Sequence, residues 1–246
     1  MRYLVISDVH ANLYALQAVL NDADGQYDRV WFLGDAVGYG PHPNECIEVL
    51  AGLRCLGIAG NHDRATLGIV DAQEFNPEAQ RVMLWTRSVL SRSSSEFLES
   101  LEPSPVVDQN VTLVHGSPRH PLWEYVLHPA TAAANLDHFS TPYCLFGHTH
   151  SPVIYQALDG QRPTCREINP PANLSPQPLP NARLIMNPGS VGQPRDGDAR
   201  ASYTLFDPDS KTMDYRRTRY PVARIQDAMF ALDFPVRLIS RLALGR

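Results

Sequence analysis

The chain has 246 residues, 43% of them hydrophobic and 19% charged, with a net charge of −5. That is ample material for a hydrophobic core, and the acidic balance argues against a dedicated nucleic-acid surface, which would be basic. Cys46, Cys55, Cys144 and Cys165 form no C-x-x-C pair, the opening apolar run is too short for a signal peptide, and no stretch is long and apolar enough to span a bilayer, so a reducing, cytoplasmic setting is expected.

Arg2–Ser7 (RYLVIS) is apolar and β-rich and predicts a buried strand. In Asn12–Ala23, Leu13, Leu16, Val19 and Leu20 recur at helical spacing. Arg29–Gly34 predicts a second strand, Pro43–Leu53 a helix with proline near its start, and Arg54–Gly60 a third strand. This βαβαβ order predicts a parallel sheet with right-handed crossovers. From Arg64 to about Leu101 the pattern is helical. Val82, Trp85, Val89 and Leu90 share one face, and Ser93-x-x-Glu96 has the form of a capping box.

Strands resume at Gln109–Gly116 and Tyr143–His148. Beyond His150 they follow in close succession, at 152–158, 164–168, 183–187, 201–207 and 213–220, and this half is expected to supply a second, antiparallel or mixed sheet. Asn169–Asn181 is Pro-rich and aperiodic and reads as an exposed loop. The C-terminal 222–246 predicts a helix broken at Pro235, with Val236, Ile239 and Leu242–Leu244 near one face and Arg237 and Arg241 near another. One short cationic helix is a weak membrane signal. It is expected to pack on its own domain or on a second copy, which leaves a homo-oligomer open.

The predicted core strands end, in order, at Asp8 and His10, at Gly34-Asp35, at Gly60–Asp63 (GNHD), at His115-Gly116, and at His148 and His150. Loops at one edge of an open α/β sheet are where ligands bind. Carboxylate plus imidazole suits Mn, Fe, Zn or a similar divalent ion, and the donors outnumber what one ion needs, which points to two. Each residue has an ordinary reading as well. Asn12 could cap the first helix, Asp35 could serve a turn, and His115 alone could be a hydrogen-bonded strand-end histidine. His42, His120, His128 and His138 fall in loops or on polar faces and read as background. The joint placement at five successive strand ends is what argues for chemistry.

SDVHAN, LGDAVGYGP, AGNHD, LVHG and FGHTH resemble the five signature blocks of the calcineurin-like metallophosphoesterase superfamily, in order, from residue 8 to residue 150. GSPRHPLWEYV and NPGSVGQPRDGDARASY further resemble a small, single-domain bacterial branch related to diadenosine tetraphosphatases. Ala11 stands where many relatives carry glycine, and His120 where this branch carries aspartate.

The resemblance implies one α/β domain over residues 1–246, a four-layer αββα sandwich of two mixed sheets. It implies that Asp8, His10 and His150 hold one ion, that Asn61, His115 and His148 hold a second, and that Asp35 bridges them. It also implies a dimetal phosphoester hydrolase; Mn²⁺ is the expected metal because the Asp/Asn/His set offers no thiolate, with Fe, Zn, Ni or Co as alternatives. His62 resembles the family's catalytic histidine, with Asp63 orienting it or capping the next helix. Asn12 and Arg195 are candidate substrate contacts, since guanidinium grips phosphate with two donors. The expected substrate is a small phosphomonoester, phosphodiester or nucleotide, with a dinucleoside polyphosphate as the alternative. A non-catalytic metal-binding module is the rival from another class. It would be expected to lack ligands or the histidine, and none is missing. A nuclease would need a basic track, for which the net charge gives no sign.

Overall fold

In the computed structural model, which describes residues 1–53, 55–170 and 175–246, both faces of β1 (Tyr3–Ile6) are buried. Leu4 and Ile6 enter one hydrophobic cluster, Tyr3 and Val5 another. The same split recurs on β2 (Arg29–Phe32), where Val30 and Phe32 face the first cluster and Trp31 the second. A strand buried on both sides has no polar face, which is why these segments read as continuous apolar runs.

β1 pairs in parallel with β2, and β2 with β3 (Cys55–Gly57), as the βαβαβ reading requires. The crossover helices are α1 (Leu13–Asp22) and α2 (Pro43–Gly52). The chain continues through α3 (Asn61–Thr66), α4 (Pro77–Val89) and α5 (Arg92–Ser100). The cap of α5 differs from expectation. Ser91, not Ser93, accepts the N–H of Ser94 through its side chain, and Glu96 instead pairs with Arg92 at 2.8 Å.

The expected single strand at Gln109–Gly116 is a hairpin of β4 (Val106–Asp108) and β5 (Val111–Leu113), turned at Gln109 and Asn110, both with positive φ. α6 (Pro129–Asn135) and β6 (Tyr143–Leu145) follow, then β7 (Val153–Leu158), β8 (Thr164–Ile168), β9 (Gln177–Pro178) and β10 (Leu184–Asn187). β11 (Ala201–Asp207) and β12 (Thr212–Thr218) precede α7 (Val222–Ala231) and α8 (Val236–Leu244).

The two sheets run β3-β2-β1-β11-β12-β9 and β4-β5-β6-β10-β7-β8. The strands after His150 therefore do not build a sheet of their own. β7, β8 and β10 complete the second sheet, while β11 lies antiparallel to β1, with Leu4 opposite Leu205, and carries β12 and β9 into the first. Of the Pro-rich stretch, residues 171–174 lie outside the described residues, and Gln177–Pro178 is an edge strand beside β12 rather than loop.

Two mixed sheets thus face each other across Tyr3, Val5, Trp31, Leu113, Leu145, Met186 and Phe206. Helices α1, α2, α4, α5, α7 and α8 cover the first sheet, and α6 covers the outer face of the second through Ala132. Leu238, Ile239 and Leu242 form the buried face of α8, while Val236 and Leu244, expected on that face, are exposed. Among the described residues no helix is long and apolar enough to cross a membrane.

Candidate active site

The carboxyl ends of β1, β2, β3, β5 and β6 deliver Asp8, Asp35, Asn61, His115 and His148 to one place. The loops that carry them are wound tightly. Asp8 (φ 53°), His10 (47°), Ala11 (50°), Asp35 (57°), His148 (64°) and His150 (58°) all adopt left-handed backbone, which non-glycine residues enter only at a cost and mostly where function demands it. Main-chain bonds hold them there, Asp8 N–H to Gly34 O at 2.9 Å and His10 N–H to Asp35 O at 3.0 Å. The same φ at Ala11 accounts for the glycine that many relatives carry.

Two donor clusters form, sharing one member. Asp8, His10, Asp35 and His150 make the first, and Asp35, His115 and His148 the second. His150 Nε2 lies 3.3 Å from Asp8 Oδ1, and His10 Nε2 lies 3.1 Å from His150 Nε2. Asp35 Oδ2 lies 3.6 Å from His10 Nε2 and 3.5 Å from His115 Nε2. Asn61 Oδ1 adds a neutral oxygen to the second cluster, 3.1 Å from His115 Nε2, and His148 presents Nδ1 at 3.2 Å from the same atom. Donors bound at ~2.0–2.2 Å around one ion stand roughly 3–3.5 Å from each other, close to these spacings.

The histidine tautomers are set by the main chain. A carbonyl only accepts, so the Nδ1–H of His10 donates to Val37 O (3.0 Å), that of His115 to Leu33 O (2.8 Å) and that of His150 to Gln193 O (2.7 Å). Each ring then turns its Nε2 inward, an arrangement typical of metal-binding imidazoles. Burial, with nearby positive charge, pushes His10, His148 and His150 well below the usual histidine range and keeps them neutral. Burial pushes Asp8 up to about 7 and Asp35 upward as well. Asp35 Oδ2 is buried without a hydrogen-bond partner among the described residues. Several lone pairs directed at common points beside two desolvated carboxylates form a donor set suited to cations, so the residues fit divalent ions.

His62 is 4% exposed and has no part in either donor cluster. Its ring lies between Tyr39 (centroids 4.5 Å) and Phe75 (4.7 Å), and its Nδ1 is buried without a partner among the described residues. Gly38, at φ 89°, leaves it room, because a Cβ there would stand 2.4 Å from Nδ1. Gly60 does the same for Asp35, whose Oδ1 would meet a Cβ at 2.0 Å.

Asp63 does not orient the His62 ring. Its carboxylate accepts the N–H groups of Gly60 (2.9 Å), Asp35 (2.8 Å) and Val37 (3.3 Å), so it caps α3 and braces the Asp35 loop. Asn12 likewise spends both side-chain atoms on structure, accepting from Ala15 N–H and donating to Gly192 O. Arg195 does reach the site. Its N–H donates to His150 O, its guanidinium donates to Gln193 Oε1, and its charge helps push His62 downward after burial itself. His120, His128 and His138 are exposed and outside the cluster. Tyr125, not singled out in the sequence, stacks on His148 at 3.9 Å and 27°. The EYV that follows GSPRHPLW was the available signal.

Residues 1–211 match the calcineurin-like phosphoesterase superfamily domain. A metallophosphoesterase from Sphaerobacter thermophilus is 42% identical, superposes with a TM-score of 0.86, and both chains are covered in full. An uncharacterised protein from Methanocaldococcus jannaschii is 36% identical over 98% of this chain and 97% of its own. A symmetrical bis(5'-nucleosyl)-tetraphosphatase from Psychromonas ingrahamii is 28% identical over 52% of this chain and 43% of its own. With the five strand-end motifs gathered at one sheet edge and the match running nearly end to end, the chain belongs to the calcineurin-like phosphoesterase superfamily and is a hydrolase of phosphoester bonds.

Proposed function

We propose that this single-domain chain hydrolyses small phosphorylated molecules at a two-ion centre. Asp8, His10, Asp35 and His150 hold one divalent ion, Asp35, Asn61, His115 and His148 the other, and Mn²⁺ is the preferred metal, ahead of Fe, Zn, Ni or Co, because no thiolate is offered. The observation that carries this reading is the Asp35 carboxylate. Its Oδ2, without a hydrogen-bond partner among the described residues, lies 3.6 Å from His10 Nε2 and 3.5 Å from His115 Nε2.

When bound, such a pair of ions supplies an acidified water and neutralises charge on the phosphoryl oxygens. The chain's own residues do the rest. Val37, Leu33 and Gln193 carbonyls hold the protons of three imidazoles at Nδ1. Arg195 places a guanidinium at the mouth of the site, where it can take a phosphate oxygen. His62 sits in a dry aromatic slot and is neutral until a phosphate arrives, whose negative charge favours the protonated ring. It then gives a proton to the leaving oxygen or stabilises charge on phosphorus. Gln193, held by Ser190 and by Arg195, fixes the loop that orients His150.

A dinucleoside polyphosphate is the second reading, supported by the likeness to the tetraphosphatase across half the chain. The complete donor set weighs against a non-catalytic module. The buried free thiols of Cys46 and Cys144 fit a reducing, cytoplasmic setting. The test is metal analysis after chelation and reloading, joined to a screen of phosphomonoesters, phosphodiesters and dinucleoside polyphosphates. Two equivalents of Mn²⁺ in the wild type and fewer in Asp35→Asn are expected. One equivalent at saturation, unchanged in Asp35→Asn, would overturn the shared-carboxylate reading.

A further inference from the structure

A line of aromatic rings leads out of the site. His10 and His62 are 4.9 Å apart, His62 and Phe75 4.7 Å, and Phe75 and Trp123 5.1 Å, centroid to centroid. Phe75 is buried, whereas Trp123 is 38% exposed. Beyond Trp123 opens a hollow of about 500 Å³ lined by Pro103, His120, Pro121, Leu122, Trp123 and Glu124. Its walls are largely apolar, and among the described residues its one polar side chain without a hydrogen bond is the exposed imidazole of His120.

The loop that presents Trp123 is held rigidly. Glu124 accepts from Ser117 Oγ (2.7 Å), Asn135 Nδ2 (2.7 Å) and Arg119 Nε (2.9 Å). Ser117 Oγ in turn accepts from His120 N–H, and His120 O accepts from Trp123 N–H. The guanidinium of Arg119 and these bonds hold the Glu124 carboxyl down at about 2. An indole left partly in water by a loop this well braced is pre-organised, so a ring that stacks on it meets little ordering cost.

Resting on the phosphoesterase reading, we propose that Trp123 and the hollow beside it receive the planar heteroaromatic ring of the substrate, a nucleobase, while the phosphate lies at the Asp/His centre. The indole supplies a stacking face, Pro103, Pro121 and Leu122 the apolar floor, and His120 a hydrogen-bonding group for the ring's edge. Three ring contacts separate the hollow from His10, so an extended nucleotide fits the arrangement better than a compact sugar phosphate.

The test compares two diesters with the same leaving group, thymidine 5'-(4-nitrophenyl phosphate) and ethyl 4-nitrophenyl phosphate, on the Mn²⁺-loaded enzyme. Base–aromatic stacking is worth ~1–3 kcal/mol, so Trp123→Ala should lower the nucleoside-to-ethyl ratio of kcat/KM by roughly 5- to 150-fold, chiefly through KM. Trp123→Phe should recover much of that ratio. His120→Trp, which fills the hollow from an exposed position, should lower it too. In parallel, adenosine, which carries no phosphate, should quench tryptophan fluorescence in the wild type and not in Trp123→Phe. A ratio unmoved by Trp123→Ala and His120→Trp, or adenosine quenching that survives Trp123→Phe, overturns the proposal. If neither ester is hydrolysed, the diesterase reading fails and the adenosine titration still decides on the hollow.

Discussion

Asp35 Oδ1 accepts the backbone N–H of His62 at 2.9 Å, so the carboxylate common to both donor clusters also anchors the residue proposed to handle the leaving group. Any movement of that carboxylate carries His62 with it. The two can be separated only by changing the His62 side chain and leaving its backbone alone.

His62→Ala is therefore expected to keep its metal and fold and to lose kcat by about two to four decades. If the imidazole protonates the leaving oxygen, the loss shrinks for nitrophenolate and grows for alkyl alcohols. If it stabilises charge on phosphorus, the loss is the same across the series. Gly38→Ala, which would drive a methyl to 2.4 Å from His62 Nδ1, should copy the defect. The check is kcat over aryl and alkyl esters with metal content measured in each, and an unchanged kcat removes His62 from the chemistry.

In metal-free protein the buried carboxylates should contribute less stability as pH rises. Burial raises the Asp8 carboxyl from its ordinary value to about 7 and raises Asp35 also. A carboxyl with a raised folded pKa binds more protons folded than unfolded, so ∂ΔG/∂pH is negative between the two pKa values. For Asp8 that window runs from about 4 to about 7. The histidines held neutral oppose this below about 6.5, so the carboxylate contribution is read as a difference: chelated wild type should lose melting temperature relative to chelated Asp8→Asn from pH 5 to pH 7, and Mn²⁺ should remove that trend. A difference that does not change with pH in the absence of metal would show that the Asp8 carboxylate is compensated from within the chain.

Ala11 and Ala15 are both fully buried, yet their replacement by glycine should have opposite outcomes. Left-handed backbone costs a non-glycine residue ~1–2 kcal/mol, and a buried methyl is worth ~0.8 kcal/mol. Ala11→Gly should therefore leave stability level or slightly raised. Ala15→Gly, inside α1, loses the methyl and ~0.8–1.0 kcal/mol of helix propensity. Urea midpoints measure both, and equal losses would show that the φ of 50° at Ala11 carries no strain.

Removing Asp233–Arg246 should reach the metal centre. Leu238, Ile239 and Leu242 are buried in the core shared with α1 and α4. Side chains of this kind contribute ~1.5–3 kcal/mol each on burial. Leu242 also lines one small void with His10, Tyr39, Gly192 and Gln193, and Gln193 holds His150. A lower melting temperature and weaker Mn²⁺ binding are expected together. A truncated protein that melts and binds Mn²⁺ as before but fails to sediment with anionic vesicles would assign α8 to membranes instead.

The donor residues were legible because each closes a predicted strand, and strand ends of an α/β sheet meet at one edge. The destination of the later strands was not legible. YTLF and MDYR carry the same alternation whether they pair with β10 or with β1, and only the three-dimensional pairing of Leu205 with Leu4 decides. The start of α5 differs from the capping-box expectation because Ser91, Ser93, Ser94 and Ser95 all offer a cap, and which serine caps depends on backbone turn rather than composition. The tautomer-setting partners were invisible for a different reason. Leu33, Val37 and Gln193 act through main-chain carbonyls, which every residue has.

β1 lies beside a strand made about two hundred residues later. During synthesis at ~5–20 residues per second, the stretch from His150 to Ala201 takes roughly 3–10 s to produce. For all of that interval the nascent chain carries every proposed metal donor while β1 has an unpaired edge, and for most of it His150 lacks the Gln193 carbonyl. β1 thus awaits β11, and ions can be taken up in the final geometry only once residues 190–207 have left the ribosome.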